Sequence, residues 1–380
     1  VRAIKMKRIK LGMVGGGQGA FIGAVHRIAA RLDNKYQLVA GALSSDPERA
    51  AESALHLGIE AKRSYHSFAQ MAKAEAARPD GIEAVSIVTP NNLHADVAVA
   101  FLEAGIHVIC DKPLSVSYSE GLRIKQCLDK SSAQFFLTHN YTGYPLIREA
   151  RDMISSGKLG NIRVIQAEYA QDWLAEPLET TGQKQATWRT DPTATGGGGA
   201  IGDIGTHAYN LVHYVTGLKA KELAADLTSY VSGRAVDDNA HIWLRFTGGA
   251  KGQLWISQVA VGNENALRLR IYGDQGGLEW EQENPNILWF TPLGGLRQQI
   301  TRGSSALSEA SEAATRIPAG HPEGYLEAFA TLYSDVANVL LNGEAANHLP
   351  NIMDGLDGMW FIEACIKSSK NNGTWCKKYP

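Results

Sequence analysis

The sequence predicts an α/β chain in two parts: a doubly wound parallel sheet, then an α+β domain with a mainly antiparallel sheet. Three observations carry this reading. The chain has 380 residues, which exceeds a typical single domain. Up to about residue 138, short β-branched runs alternate with 10–15-residue helical patterns, the mark of βαβ units. After Tyr141 apolar and polar residues alternate strictly between glycine-rich turns, as in a sheet with one buried face. The division expected is 1–138 and 139–380.

In the first part, Ile9 to Val14 reads as a strand, followed by a helix to about Leu32 and a strand from Tyr36 to Leu43. Asp46 followed by Pro47 has the form of an N-cap and a proline at the first helical position, opening a helix through Leu57. Ser67 with Gln70, and Ser117 with Glu120, fit capping boxes. Ala84 to Val88, His107 to Cys110 and Gln134 to Leu137 are runs of the buried-strand type. In the second part, Leu146 to Ser156 is helical and stops at Gly157. Ile242, Leu244 and Phe246, and again Leu267, Leu269 and Ile271, alternate with polar residues. Residues 303–316, small and polar, read as a mobile loop. Tyr325 to Leu341 and Asn351 to Lys370 close the chain as helices.

Composition removes several classes of function. Hydrophobic residues make up 44% and charged residues 20%, so the chain can build a large core. With 37 basic and 39 acidic residues it carries no electrostatic footprint for nucleic acid or an anionic membrane. No run of 18 apolar residues is present. The four cysteines are scattered and form no Cys-x-x-Cys pair, which reads as reduced thiols and a cytoplasmic setting. The chain begins at Val1 without Met, so residues 1 to about 7 read as partly an expression remnant or a processed end. No His, Cys, Asp and Glu set has metal-ligand spacing, and no metal site is expected.

Four segments carry chemistry. Gly15-Gly16-Gly17-Gln18-Gly19-Ala20-Phe21-Ile22-Gly23 follows a strand and opens a helix, the context of a dinucleotide fingerprint. Gly15 permits the tight turn and Gly17 the approach of a pyrophosphate, which would sit on the helix N-terminus. The third, close-packing position is Ala20 by strict spacing or Gly23 with an insertion. The second strand ends in Ser44-Ser45, with Asp46 just beyond and Arg49 a helical turn further on. No arginine stands at the strand end itself to hold a 2′-phosphate, which favours NAD over NADP. Thr89-Pro90-Asn91-Asn92-Leu93-His94, after what reads as the fourth strand, and Cys110-Asp111-Lys112-Pro113 lie at strand carboxyl ends, where such sheets bind ligands. Asp203 and His207 follow the run Gly196 to Gly199 and share a helix face as i and i+4. A carboxylate beside an imidazole suits proton transfer. His94 reads as a structural or cofactor-loop histidine rather than an acid–base group, His213 as packing, and Trp188 equally as a pocket wall or a core anchor.

Taken in order, the glycine loop, Thr89-Pro90-Asn91-x-x-His94, Lys112-Pro113, Asn140-Tyr141 and Gly-Gly-x-x-x-Asp203-x-x-x-His207 resemble the Gfo/Idh/MocA oxidoreductases over nearly the whole chain. The resemblance implies a Rossmann domain and a C-terminal α+β domain whose large open sheet mediates dimers or tetramers. It implies that Lys112, Asp203 and His207 are catalytic: His207 removes a hydroxyl proton, Lys112 polarises that oxygen, and Asp203 holds substrate hydroxyls. Asp111 stands where the family has a longer glutamate. Cofactor contacts are expected from Gly15, Gly17, Gln18, Gly19, Ala20, Phe21, Ile22, Ser44, Ser45, Thr89, Pro90, Asn91, His94, Asp111, Lys112 and Asn140. Substrate contacts are expected from Lys112, Tyr141, Trp188, Arg189, Asp203, His207 and His321. No Arg/Lys cluster signals a phosphorylated sugar, and the implied substrate is a neutral polyol or sugar. Within the family, the stretched glycine loop and Gly320 to Tyr325 look most like scyllo-inositol and related sugar dehydrogenases, some of which accept L-glucose. Three other activities of relatives stay open: glycosidase action by transient oxidation on a retained NAD, cofactor sensing without turnover, and NADPH-dependent reduction of a keto-sugar.

Overall fold

A computed structural model describes residues 7–378; the processed-end reading falls almost entirely outside them. The elements, in order, are β1 (Ile9–Gly15), α1 (Phe21–Leu32), β2 (Tyr36–Ala42), α2 (Pro47–His56), α3 (Phe68–Ala76), β3 (Ala84–Val88), α4 (His94–Glu103), β4 (His107–Cys110), α5 (Tyr118–Leu128) and β5 (Phe135–Leu137). Then follow α6 (Pro145–Ser155), β6 (Ile162–Ala170), α7 (Lys184–Arg189), α8 (Pro192–Thr195), a π-helical turn (Ile201–Gly205), α9 (Thr206–Thr216), β7 (Ala220–Thr228), β8 (Asn239–Phe246), β9 (Lys251–Ser257), β10 (Ala266–Gly273), β11 (Gly276–Glu281), β12 (Ile287–Pro292) and β13 (Gln298–Thr301). The chain closes with α10 (Glu309–Ala313), α11 (Tyr325–Asn342), α12 (Ile352–Lys370) and β14 (Cys376–Lys377).

The first sheet is parallel, in the order β2-β1-β3-β4-β5. Its order reverses between β1 and β3, and a crevice for ligands forms at the carboxyl ends of strands at such a point. Every residue of β3 is buried, which explains a run that is apolar but for Ser86. The strand before Thr89 is therefore the third, not the fourth: residues 57–83 hold α3 but no strand. Asp46 accepts from the Arg49 amide and caps α2, as expected. The capping boxes are half formed: Ser67 and Ser117 cap, but Gln70 and Glu120 reach the amides of His66 and Val116, one residue before the cap.

The second sheet has nine strands in the order β13-β12-β11-β10-β6-β9-β8-β7-β14. It is antiparallel except where β6 meets β9. Along β8, Ala240, Ile242, Leu244 and Phe246 are buried while His241 and Trp243 face out, which is the alternation the sequence displays.

Two expectations are corrected. One compact unit runs to Asn140 and also takes in Tyr325–Leu356; the other holds Tyr141–Gly324 and resumes at Asp357. A single cut at 138 misses this return. Its cause is the apolar face of α11, where Phe329, Ala330, Tyr333 and Ala337 share a core with Val25 and Ala29 of α1. Residues 303–316 are not a bare loop. Ser308 caps α10, its amide donates to Glu149 of α6 at 2.8 Å, and Ser311 and Ala314 are buried.

Candidate functional site

In the first unit, the glycine loop is shaped by what its missing side chains would strike. At Gly15 (φ +80°) a Cβ would lie 2.9 Å from the Val88 carbonyl oxygen, and at Gly17 2.8 Å from that of Leu43. At Gly23 it would lie 2.3 Å from the Gly16 Cα, backbone against backbone. Gly23 is thus the close-packing glycine, and Ala20 is the N-cap of α1. The end of β2 and helix α2 brace the loop: Gly17 N–H donates to the Leu43 carbonyl, Gln18 N–H to Ser53 Oγ, and the Gln18 side chain meets His56. At Gly19 nothing stands within 4 Å of a Cβ, so the loop opens where Phe21 and Ile22 start the helix. First-turn N–H groups there lack helical acceptors and favour an anion.

Two buried polar atoms at the same strand ends have no hydrogen-bond partner, Thr89 Oγ1 and Asn140 Nδ2. Buried polar groups are normally satisfied, so an open glycine cradle beside such atoms fits a polar dinucleotide. At the far side of the loop Ser45 is exposed, Ser44 Oγ accepts the Asp46 amide at 3.1 Å, and the Asp46 carboxylate is exposed at the cap of α2. Pro90 is exposed and Asn91 buried. His94 ties two strand-end loops together, with Nδ1 2.8 Å from the Pro113 carbonyl and Nε2 3.0 Å from that of Thr89. Burial holds its pKa down, and a neutral imidazole has one N–H to share between the two carbonyls. This matches its structural reading.

The shorter Asp111 is firmly held. Its Oδ1 accepts from the Lys112 amide and from Thr138 Oγ1, both at 3.0 Å. His26 Nε2 stands 3.9 Å away, too far for a hydrogen bond. Burial alone would raise this carboxyl; His26 and Lys112 outweigh it and hold it at about 2. His139 is pushed down to about 3 by burial and by the Lys112 ammonium. Neither His26 nor His139 stood out in the sequence, where each is a lone histidine outside any recognised spacing.

In the second unit, Asp203 Oδ2 accepts from Arg189 Nε at 3.2 Å and Gln258 Nε2 at 3.0 Å. The Arg189 guanidinium lies over the Trp188 ring at 4.3 Å and near Trp173 at 6.0 Å. Trp188 is thus a partner of the arginine rather than a core anchor. His207 is buried, its ring edge-on to Tyr141 at 4.8 Å and tilted to Tyr169 at 6.3 Å. Asp203 lies on a π-helical turn, a form frequent at functional sites, and His207 follows in the first turn of α9. His321 does not join this group by any hydrogen bond of its own: it is exposed on the 317–324 segment, where its carbonyl accepts from Arg302.

Asp237, not anticipated from sequence, anchors that turn. Its carboxylate accepts from the Gly199 amide at 2.7 Å and the Ile201 amide at 2.8 Å, and its carbonyl accepts from Ala200. A Cβ at residue 199 would lie 2.0 Å from the Asp237 carbonyl oxygen, so only glycine fits. Burial pushes this carboxyl up to about 6, against the pull of the two amides.

Residues 9–139 match the oxidoreductase family with an NAD-binding Rossmann fold, and residues 147–279 match the GFO/IDH/MocA C-terminal domain. The chain belongs to the GFO/IDH/MocA oxidoreductase family. It is 52% identical to an oxidoreductase from Sinorhizobium meliloti, with a TM-score of 0.89 over 98% of this chain and 100% of that one. It is 36% identical to an inositol dehydrogenase homolog from Azotobacter vinelandii, solved with NADH and myo-inositol (TM-score 0.91, 98% of each chain). It is 26% identical to a levoglucosan dehydrogenase solved with NADH and levoglucosan (TM-score 0.85, 98% of this chain and 99% of that one). The family's NAD-binding domain thus coincides with the cradle at Gly15–Gly23, and the chain is an NAD-binding oxidoreductase. Among the described residues no helix is long and apolar enough to cross a membrane.

Proposed function

We propose that this chain is an NAD-dependent dehydrogenase that oxidises a secondary hydroxyl of a neutral cyclic polyol or sugar, scyllo-inositol or a related hexose, to a ketone. The observation that carries the reading is His207, walled by Tyr141 and Tyr169, four residues after Asp203, whose carboxylate holds Arg189 stacked on Trp188. An acid beside an imidazole serves a hydroxyl proton. An arginine neutralised in this way does not recruit a phosphate.

In this reading His207 takes the hydroxyl proton, and Asp203 orients substrate hydroxyls. The Lys112 ammonium donates to the reacting oxygen and stabilises the negative charge that develops there. The chemistry requires Lys112 and His207 to serve one oxygen. Asp111 and Thr138 hold the Lys112 backbone in place from the strand end. Gly17, Gly19 and the first turn of α1 would hold the pyrophosphate, Ser44 and Ser45 the adenosine ribose, and Thr89 and Asn140 the nicotinamide end. NAD, when bound, would supply the hydride acceptor.

The test is NADH absorbance with NAD and NADP in parallel across inositols and free hexoses. Growth with NAD and a polyol supports the reading. Absence of growth from protein that binds NAD contradicts it. We also propose a homo-oligomer through the outer face of the second sheet, where Trp243 and Val164 are about half exposed beside Trp255 and Trp289. Trp243→Glu should reduce the mass measured by light scattering to that of a smaller assembly; an unchanged mass rules that face out.

A further inference from the structure

We infer that Trp173 sets the direction of a hydrogen-bond chain ending on Tyr141, so that Tyr141 receives a hydrogen bond from a substrate hydroxyl and carries no proton in the reaction. This deepens the proposed polyol dehydrogenase and rests on it for the identity of the donor.

The chain runs through the second unit. Trp173 Nε1 meets Gln171 Oε1 at 3.1 Å; Gln171 Nε2 meets Asn265 Oδ1 at 2.7 Å; Tyr169 Oη meets the same Oδ1 at 2.8 Å; and Tyr169 Oη meets Tyr141 Oη. Amide orientation and hydroxyl hydrogens are usually ambiguous, but here one member is not. An indole N–H can only donate. Gln171 must therefore turn its carbonyl to Trp173, which leaves its NH₂ facing Asn265. Only the Asn265 carbonyl can accept there, so Oδ1 is fixed. Tyr169 faces that same oxygen and must donate to it. With its single hydrogen spent, Tyr169 accepts from Tyr141. The Tyr141 hydrogen is spent in turn, and the remaining capacity of its oxygen is as an acceptor.

A second branch agrees with this assignment. Asn265 Nδ2 donates to Gln282 Oε1 at 2.7 Å, and Gln282 Nε2 donates to Tyr144 Oη at 3.1 Å. The Asn265 backbone is pinned by Glu283, so the amide is held as well as oriented. Tyr141 stands edge-on to His207, and an acceptor there draws a hydrogen-bond donor to the imidazole's side. The substrate class follows: a polyol whose hydroxyl can donate is accepted, and fluorine or an ether oxygen in its place is not.

Two measurements decide it. In a neutron structure of the deuterated protein, the deuteron of Tyr141 should lie on the line to Tyr169 Oη and that of Tyr169 on the line to Asn265. A deuteron of Tyr169 pointing at Tyr141 overturns the inference, whether or not any polyol is turned over. Kinetically, Tyr141→Phe should lower kcat/KM for the best inositol about 2- to 13-fold, the range of one neutral hydrogen bond. It should leave one monodeoxyfluoro regioisomer unaffected, and wild type should disfavour that same isomer. Trp173→Phe, which removes the N–H and keeps a ring, should relax that discrimination. Equal losses on the parent and every fluorinated isomer overturn the substrate contact. Absence of turnover with any inositol defeats the functional reading instead, and the neutron map still decides the direction.

Discussion

Replacing Asp237 by Asn separates the stability of this protein from its activity. The carboxyl is buried and its pKa lies at about 6, against 3.8 for the ordinary group. A shift of about 2 units corresponds to about 3 kcal/mol of preference for the protonated form in the fold. The sign follows from linkage: the folded state binds the proton more tightly, so stability is fully present below the unfolded pKa and falls as pH rises through about 4 to 6. Asn never ionises and lacks this loss. Its amide keeps one acceptor for either the Gly199 or the Ile201 amide and turns NH₂ toward the other. Leaving that buried N–H unpaired costs about 1–3 kcal/mol. The expected variant is therefore destabilised at pH 4 and of about wild-type stability, or slightly above, at pH 8. Turnover should still fall by about tenfold or more at pH 8, because the start of the turn that bears Asp203 and leads into α9 and His207 is no longer held at both amides. NAD affinity should be unchanged. Chemical denaturation across this pH range gives the first quantity, and steady-state kinetics the second. A wild-type-minus-variant stability difference that is flat with pH refutes the burial argument, and an unaltered kcat refutes the positioning role.

Other outcomes follow from the same geometry. Lys112→Ala and His207→Ala should each lower kcat by about 10²-fold or more while retaining NAD affinity, and the double variant should lose less than the product of the two, since both act on one oxygen; a multiplicative loss contradicts the shared oxygen. Gly23→Ala places a Cβ 2.3 Å from the Gly16 Cα, about 1 Å inside ordinary contact, and should cost about 1–3 kcal/mol in thermal unfolding together with weaker NAD binding by calorimetry. Gly19→Ala meets no neighbour and should show only the smaller strain of its φ of +77°.

The parallel sheet was legible because its strands are short, largely apolar runs set between helical patterns, and the antiparallel sheet because its inner face repeats every second residue. The glycine loop was legible as a fingerprint, yet Ala20 and Gly23 could be told apart only by the contact of Gly23 with Gly16. The return of Tyr325–Leu356 to the first unit had no local signal, since an amphipathic helix does not state which core it covers. The polar residues that hold the site were the least visible. Asp237 acts on residues far earlier in the chain, and Gln171, Asn265 and Tyr169 meet across β6 and β10, where pairing depends on register. The cues were faint: two adjacent acids, Asp237-Asp238, entering an apolar strand, and polar side chains at strand ends.

The most direct test of the central claim is label transfer. The best polyol of the inositol and hexose panel, deuterated at the carbon to be oxidised, is incubated with the enzyme and NAD, and the reduced cofactor and the product are analysed by mass spectrometry and NMR. The expected result is one deuterium on the nicotinamide C4 for each ketone formed, with a slowed hydride step. Deuterium retained in the sugar product, with no net reduced cofactor, would contradict a dehydrogenase and point to transient oxidation on a retained NAD.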